Sequence, residues 1–222
     1  MENIVVYHGS VNKIPKPILG GGKETNDYGR GFYCTQDIEL AREWAAAEEN
    51  NNSFVNKYEI DLSRLKVLDL TKKQYSILNW IAILLKYRIF DINSEIARKA
   101  KEFLISNYYI DVSNYDVVIG YRADDSYFRY AKDFLNNTIS VQQLSKAMQL
   151  GNLGLQIVFI SEKSFNSLNF TGIEEVDSTV YYAKRKTRDE DARKAYFSLD
   201  SSSNEKNDYI SDIIRKETTY EH

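Results

Sequence analysis

The side chains that could do chemistry in this chain begin with His8, in the tetrapeptide Tyr7-His8-Gly9-Ser10. The only other histidine is His222, the last residue, which leaves one imidazole placed for work inside a fold. Further along comes Tyr28-Gly29-Arg30-Gly31-Phe32-Tyr33-Cys34-Thr35. Both segments read as short strands ending in a polar, glycine-bearing turn. A histidine, the glycine beside it and a tyrosine on a neighbouring strand are the parts needed to hold a nicotinamide ring and its ribose.

The elements that must position these residues follow from pattern. Asn3–Tyr7 is a β-branched run and reads as a strand, and Gly31–Thr35 as a second. Between them, Val11 to Asp27 is a loop rich in Gly, Pro and Lys, with Gly20-Gly21-Gly22 at its centre. It suits a lid over a ligand or a plain solvated connector. A helix is expected from Asp37 to about Glu49, with Thr35 or Asp37 as N-cap and Leu40, Ala41 and Trp44 on one face. Further strands are expected at Phe54–Ile60, Lys66–Leu70, Asp116–Tyr121, Leu155–Ile160 and Asn169–Val176. Helices are expected at Gln74–Arg88, Ser94–Tyr108 and Ser161–Leu168, after Arg122, and from a capping box at Ser140 to Leu150. A charged helix from about Thr179 grades into a Ser/Asn-rich stretch. Irregular interleaving of strands and helices favours an α+β fold over a doubly wound sheet. The expected organisation is one domain over residues 1–200 and a charged, flexible tail over 201–222.

Composition narrows the function classes. A formal charge of −3 over 222 residues predicts neither strong nucleic-acid nor membrane attraction. One cysteine excludes an internal disulfide, and two histidines offer no ligand set for structural zinc, so no metal is expected. A reducing cytoplasm fits, and the start of the chain lacks the basic-then-apolar pattern of a signal peptide. The most apolar stretch, Ile77 to Leu85, is too short to span a bilayer and reads as a buried helix.

The pairing of a strand ending in His-Gly-Ser with a strand reading Gly-x-Gly-Phe-Tyr resembles the diphtheria-toxin and poly(ADP-ribose)-polymerase branch of the ADP-ribosyltransferases. From Val5 to about Tyr196 the chain is more closely similar to a bacterial family of uncharacterised proteins assigned to that superfamily. The resemblance implies a split β-sheet with helical insertions, gripping NAD as substrate through a His, Tyr, Glu triad. His8 is then expected against a ribose hydroxyl, Gly9 at the carboxamide, and Tyr33 stacked on the nicotinamide. A second aromatic is expected eleven residues after the tyrosine, where this chain has Trp44, a strong face for a pyridinium cation. Ser10, Arg30, Arg122 and Asp124 complete the expected NAD-binding set, Arg122 pairing with a neighbouring aspartate or with the pyrophosphate.

The chain departs from the family at the third triad position, where Gly154-Leu155-Gln156 offers an amide. An amide can hydrogen-bond a ribose hydroxyl but supplies no negative charge opposite an oxocarbenium ion. Losing one preorganised electrostatic group costs about 10²–10³ in rate. Gln156 serves alone, or Asp124 or Asp125, at a turn after a buried strand, supplies the carboxylate.

The resemblance implies a mono-ADP-ribosyltransferase acting on a protein or nucleic-acid acceptor, as an intracellular bacterial toxin or anti-phage effector with a neutralising antitoxin protein as partner. Two other readings stand beside it. One is a catalytically degenerate NAD- or ADP-ribose-binding module. The other is an RNA 2′-phosphotransferase, which requires several arginines converging on the histidine, whereas the early strands supply only Arg30.

Overall fold

The computed structural model of the protein describes residues 3–49, 51–123, 125–148, 150, 154–198 and 208–220. It is an α+β fold with two sheets, and the division between them makes the site. Strand β1 (Asn3–Ser10), after a long loop, is followed by β2 (Phe32–Cys34) and helix α1 (Ile38–Ala45). Strands β3 (Phe54–Asp61) and β4 (Val67–Asp69) precede helices α2 (Ile77–Tyr87) and α3 (Glu95–Tyr108). Then come β5 (Val117–Tyr121), α4 (Asp125–Leu135), α5 (Val141–Ala147), β6 (Leu155–Phe159), α6 (Glu162–Asn166) and β7 (Asn169–Glu175). Helices α7 (Ser178–Phe197) and α8 (Ile210–Tyr220) end the described chain.

One sheet has the order β1-β3-β7, antiparallel throughout. The other has the order β2-β6-β5-β4, with the β4–β5 pair parallel. The sheets join where Tyr7 and Thr35 exchange both backbone hydrogen bonds, at 2.7 and 2.9 Å. Among the described residues no further rung follows between β1 and β2.

The strand period of two sorts the side chains. Ile4 and Val6 of β1 pack with Phe32, Cys34, Tyr58, Val117, Ile157 and Phe159, a core fed by both sheets. The larger core lies on the opposite face of the second sheet. There α2, apolar on nearly every side, is buried with Leu68, Val118 and Val158. The helix starts obey local chemistry: Asp37 accepts from the Glu39 and Leu40 amides, Ser94 caps α3, and Ser140 with Gln143 forms a capping box.

Three sequence expectations need correction. Strand β1 runs on to Ser10, so His8, Gly9 and Ser10 are strand residues paired with Asn56, Val55 and Phe54, not a turn. Helix α1 stops at Ala45, short of Glu49. The segment expected to trail away as a tail carries α8, which buries Ile210 completely and Ile213 almost so in the larger core. Asp208 accepts from the Val141 amide and Tyr108 donates to Glu217, which fixes both ends of that segment.

Ile210→Ala should therefore lower the unfolding free energy by about 2–4 kcal/mol. Denaturant titration measures this, and an unchanged midpoint would separate α8 from the core.

Candidate functional site

Beyond the Tyr7–Thr35 bridge the sheets part, and the side chains at the parting line a cavity of about 770 Å³. That volume lies within the roughly 300–1,000 Å³ of small-molecule sites. His8 continues the buried face of β1 and stacks on Phe32, ring centroids 4.3 Å apart. Its Nδ1 lies 2.7 Å from the Tyr33 carbonyl. A carbonyl only accepts, so Nδ1 carries the proton and Nε2 is left as an acceptor. Burial also holds the imidazole below its usual 6.5, which keeps the ring neutral at pH 7.

Tyr33 enters the same cavity from β2. Its hydroxyl donates to the Gly29 carbonyl at 2.7 Å and accepts from the Tyr28 amide at 3.0 Å. Gly29 makes this closed turn at φ +76°, a region costly for residues with a Cβ. Both bonds fix the ring, and burial pushes the phenol pKa far up. Tyr33 offers an aromatic face and no labile proton.

The loop between β1 and β2 folds over this cavity, with Ile14 to Ile18, Gly21 and Gly22 in its lining. Both of its feet are latched. At the first, buried Asn56 accepts from the Ile14 amide at 2.7 Å and donates to the Asn12 carbonyl at 3.1 Å. Tyr58 donates to the Ile14 carbonyl. At the second foot the latch is Asp27.

Asp27 was not singled out in the sequence, yet it is the acid of the cavity. Its side chain is 7% exposed. Oδ2 accepts from the Ala123 amide at 2.9 Å and from Gln156 Nε2 at 2.8 Å. Oδ1 lies 3.6 Å from Arg88 Nε. Burial raises its pKa above the usual 3.8, opposed by these hydrogen bonds and by Arg88 and Arg122. Arg88, just past α2, Arg122, just past β5, and Arg185 of α7 also line the cavity, as do Lys13 and Lys16. Among the described residues five cations and one acid line the cavity, a balance that favours an anion. The alternating charges of α7 gave no sign that Arg185 faces a ligand space.

The remaining expected residues divide. Gln156 is 4% exposed and lines the cavity opposite the loop. Gly9 is not in the lining. A Cβ there would lie 2.0 Å from the Ala41 carbonyl oxygen, so its missing side chain lets α1 pack on β1. Its main chain is another matter. Backbone groups alternate along a strand, so Gly9 directs its N–H and C=O to the side that Tyr7 uses for Thr35, the side of β2. Ser10 accepts from the Asn12 amide at 3.1 Å and shapes the loop's start instead. Arg30 points outward and pairs with Glu24 at 2.9 Å. Trp44 is also outside the lining. The Arg122 guanidinium covers its ring at 4.7 Å, and its Nε1 is buried with no hydrogen-bond partner. Asp124 and the side chain of Asp125 lie outside the described residues, Asp125 being the first residue of α4.

The family described as "Protein of unknown function (DUF3990)" matches residues 4–170, a span that contains every cavity residue named above except Arg185. The chain belongs to the DUF3990 family. No curated protein and no solved structure matches it. Among the described residues no helix is long and apolar enough to cross a membrane.

The lowered His8 pKa has a consequence for stability. The fold disfavours the imidazolium, so stability is present above 6.5 and is lost as pH falls through the lower folded value. Between pH 7 and 5 the unfolding free energy of the wild type should fall more steeply than that of His8→Gln, by up to about 1.4 kcal/mol per pH unit. Urea titrations at several pH values would show it, and parallel curves would contradict a buried neutral ring.

Proposed function

We propose that the cavity binds NAD and that the protein transfers ADP-ribose from it to a macromolecular acceptor, releasing nicotinamide. The observation that carries this reading is the meeting of His8, Tyr33 and Gln156, from three separate strands, in one cationic cavity where the sheets part. The resemblance to the ADP-ribosyltransferases rests on the His8 and Tyr33 segments, and the divided sheet agrees with it; Gln156 stands where that family has its glutamate.

Each group has a physical task. A carboxamide needs one donor and one acceptor side by side, and the Gly9 N–H and C=O, both on the β2 side, offer that pair. The fixed Tyr33 ring presents a face to the nicotinamide. His8 Nε2 accepts from a ribose hydroxyl. The arginines and lysines take the pyrophosphate, whose oxygens suit guanidinium forks. The C1″–N bond then breaks with its electron pair leaving on nicotinamide, which becomes neutral. The ribose carries the positive charge until the acceptor adds to C1″ and sheds a proton. Trp44 lies outside the cavity lining beneath the Arg122 guanidinium, so its face is open to the nicotinamide only when Arg122 turns to the phosphates.

The arginines also favour a second reading. Arg88, Arg122 and Arg185 line the same cavity as His8, which supports an RNA 2′-phosphotransferase, a reaction that calls for several arginines around the histidine. In that reaction a terminal RNA 2′-phosphate is the nucleophile toward the same substrate. A binding module without turnover stays the alternative that Gln156 raises.

Incubation with NAD and cell extract, followed by chromatography for nicotinamide and mass spectrometry of protein and RNA, tests these readings. Nicotinamide release with a gain of one ADP-ribose mass on an acceptor is the expected result. Tyr33→Ala should reduce release by about 10²-fold through loss of positioning. Release that depends on an added 2′-phosphorylated oligonucleotide supports the second reading, binding without release supports the module, and no binding of NAD ends all three.

A further inference from the structure

We propose that Asp27 and Gln156 act as one unit, in which the Asp27 carboxylate orients and polarises the Gln156 amide so that the pair replaces a single carboxylate at position 156. This rests on the NAD-cleaving reading of the cavity and goes beyond it, because neither residue alone can do the work.

The geometry is specific. Gln156 Nε2 lies 2.8 Å from Asp27 Oδ2. A carboxylate only accepts, so the amide nitrogen must face Asp27, which removes the ambiguity of a rotatable amide. Gln156 keeps one acceptor, Oε1, for any ligand hydroxyl. An N–H donated to an ionised oxygen pushes electron density within the amide onto its own oxygen, here Gln156 Oε1, and charge-assisted bonds are about twice as strong as neutral ones. Both residues are nearly buried, so little water screens the effect.

Asp27 is held for this task from three directions: by the Ala123 amide after β5, by Gln156 on β6 and by Arg88 after α2. A latch needs only one or two of these. Its charge is offset by Arg88 and Arg122 while the cavity holds no anion. A bound pyrophosphate carries two negative charges and draws those guanidinium groups. The hydrogen bonds from the Ala123 amide and Gln156 continue to favour the ionised Asp27 carboxyl as positive charge develops on the ribose. Asp27 therefore belongs to the site as a positioning residue.

The test is nicotinamide release from NAD by the full-length protein and three variants, each checked for an intact thermal transition. Asp27→Asn keeps an acceptor for Ala123 and should lower kcat by about 10²–10³ with little change in KM. Gln156→Leu leaves the Asp27 bonds to Ala123 and Arg88 in place and should lose a similar factor. The double variant Asp27→Asn/Gln156→Glu moves the carboxylate to 156 and should recover at least tenfold over Asp27→Asn. Rescue is the readout that a merely structural Asp27 would not give. A folded Asp27→Asn with wild-type kcat, or a folded double variant without recovery, overturns the proposal and leaves the NAD reading standing. Should Asp27→Asn fail to fold, a Gln156→Leu variant of wild-type activity overturns it equally. A wild-type protein that releases no nicotinamide takes both down.

Discussion

Two backbone hydrogen bonds between Tyr7 and Thr35 tie the sheets together, and the site exists because the pair after them is not made. Had the ladder continued, Gly9 would face Tyr33 and close the gap. Instead the Tyr33 carbonyl takes the His8 imidazole, and strand alternation leaves the Gly9 amide and carbonyl on the β2 side. Leaving backbone groups without a rung costs about 1–3 kcal/mol where water is excluded. A fold keeps such an opening only where packing on both sides forces it. Here α1 presses against Gly9 from one face, and the Phe32–His8 stack fills the other.

That arrangement explains why the loop from Val11 to Asp27 is latched at its ends and lines the cavity along its body. Asn56 and Tyr58 hold the first foot from β3, in the first sheet. Asp27 holds the second foot to Ala123 and Gln156, in the other. The loop therefore spans the same division that the missing rung creates. The α1–α7 contact adds a lateral clasp, with Arg188 on Glu43 and Lys184 on Glu39, and it brings Arg185 to the cavity mouth.

Much of this was legible in the sequence, for reasons tied to local chemistry. Ser94 and Ser140 announce their helices because a cap is a short-range hydrogen bond. Glycines and strand patterns drew attention to His8 and Tyr33 and the family resemblance to Gln156, and the three line one cavity. Asp27 was not, since an acid ending a basic, glycine-rich loop looks solvated, and its burial depends on β5 and β6 far along the chain. Gly9 and Ser10 read as a turn because glycine usually ends strands, whereas here it admits a helix backbone. Helix α8 did have a signal: Ile210, Ile213 and Ile214 recur at helical spacing after a Ser/Asn-rich stretch. Trp44 matched in spacing, but its ring is covered by a neighbour that spacing cannot reveal.

That cover bears on selectivity. One indole face accommodates one planar cation, so Arg122 acts as a tenant that any incoming aromatic cation must evict. A ligand made only of the ring gives the guanidinium nowhere to go. Under the proposed NAD reading, a ligand that carries an anionic linkage as well supplies the evicted arginine with a new seat, so selection would require both halves to arrive together.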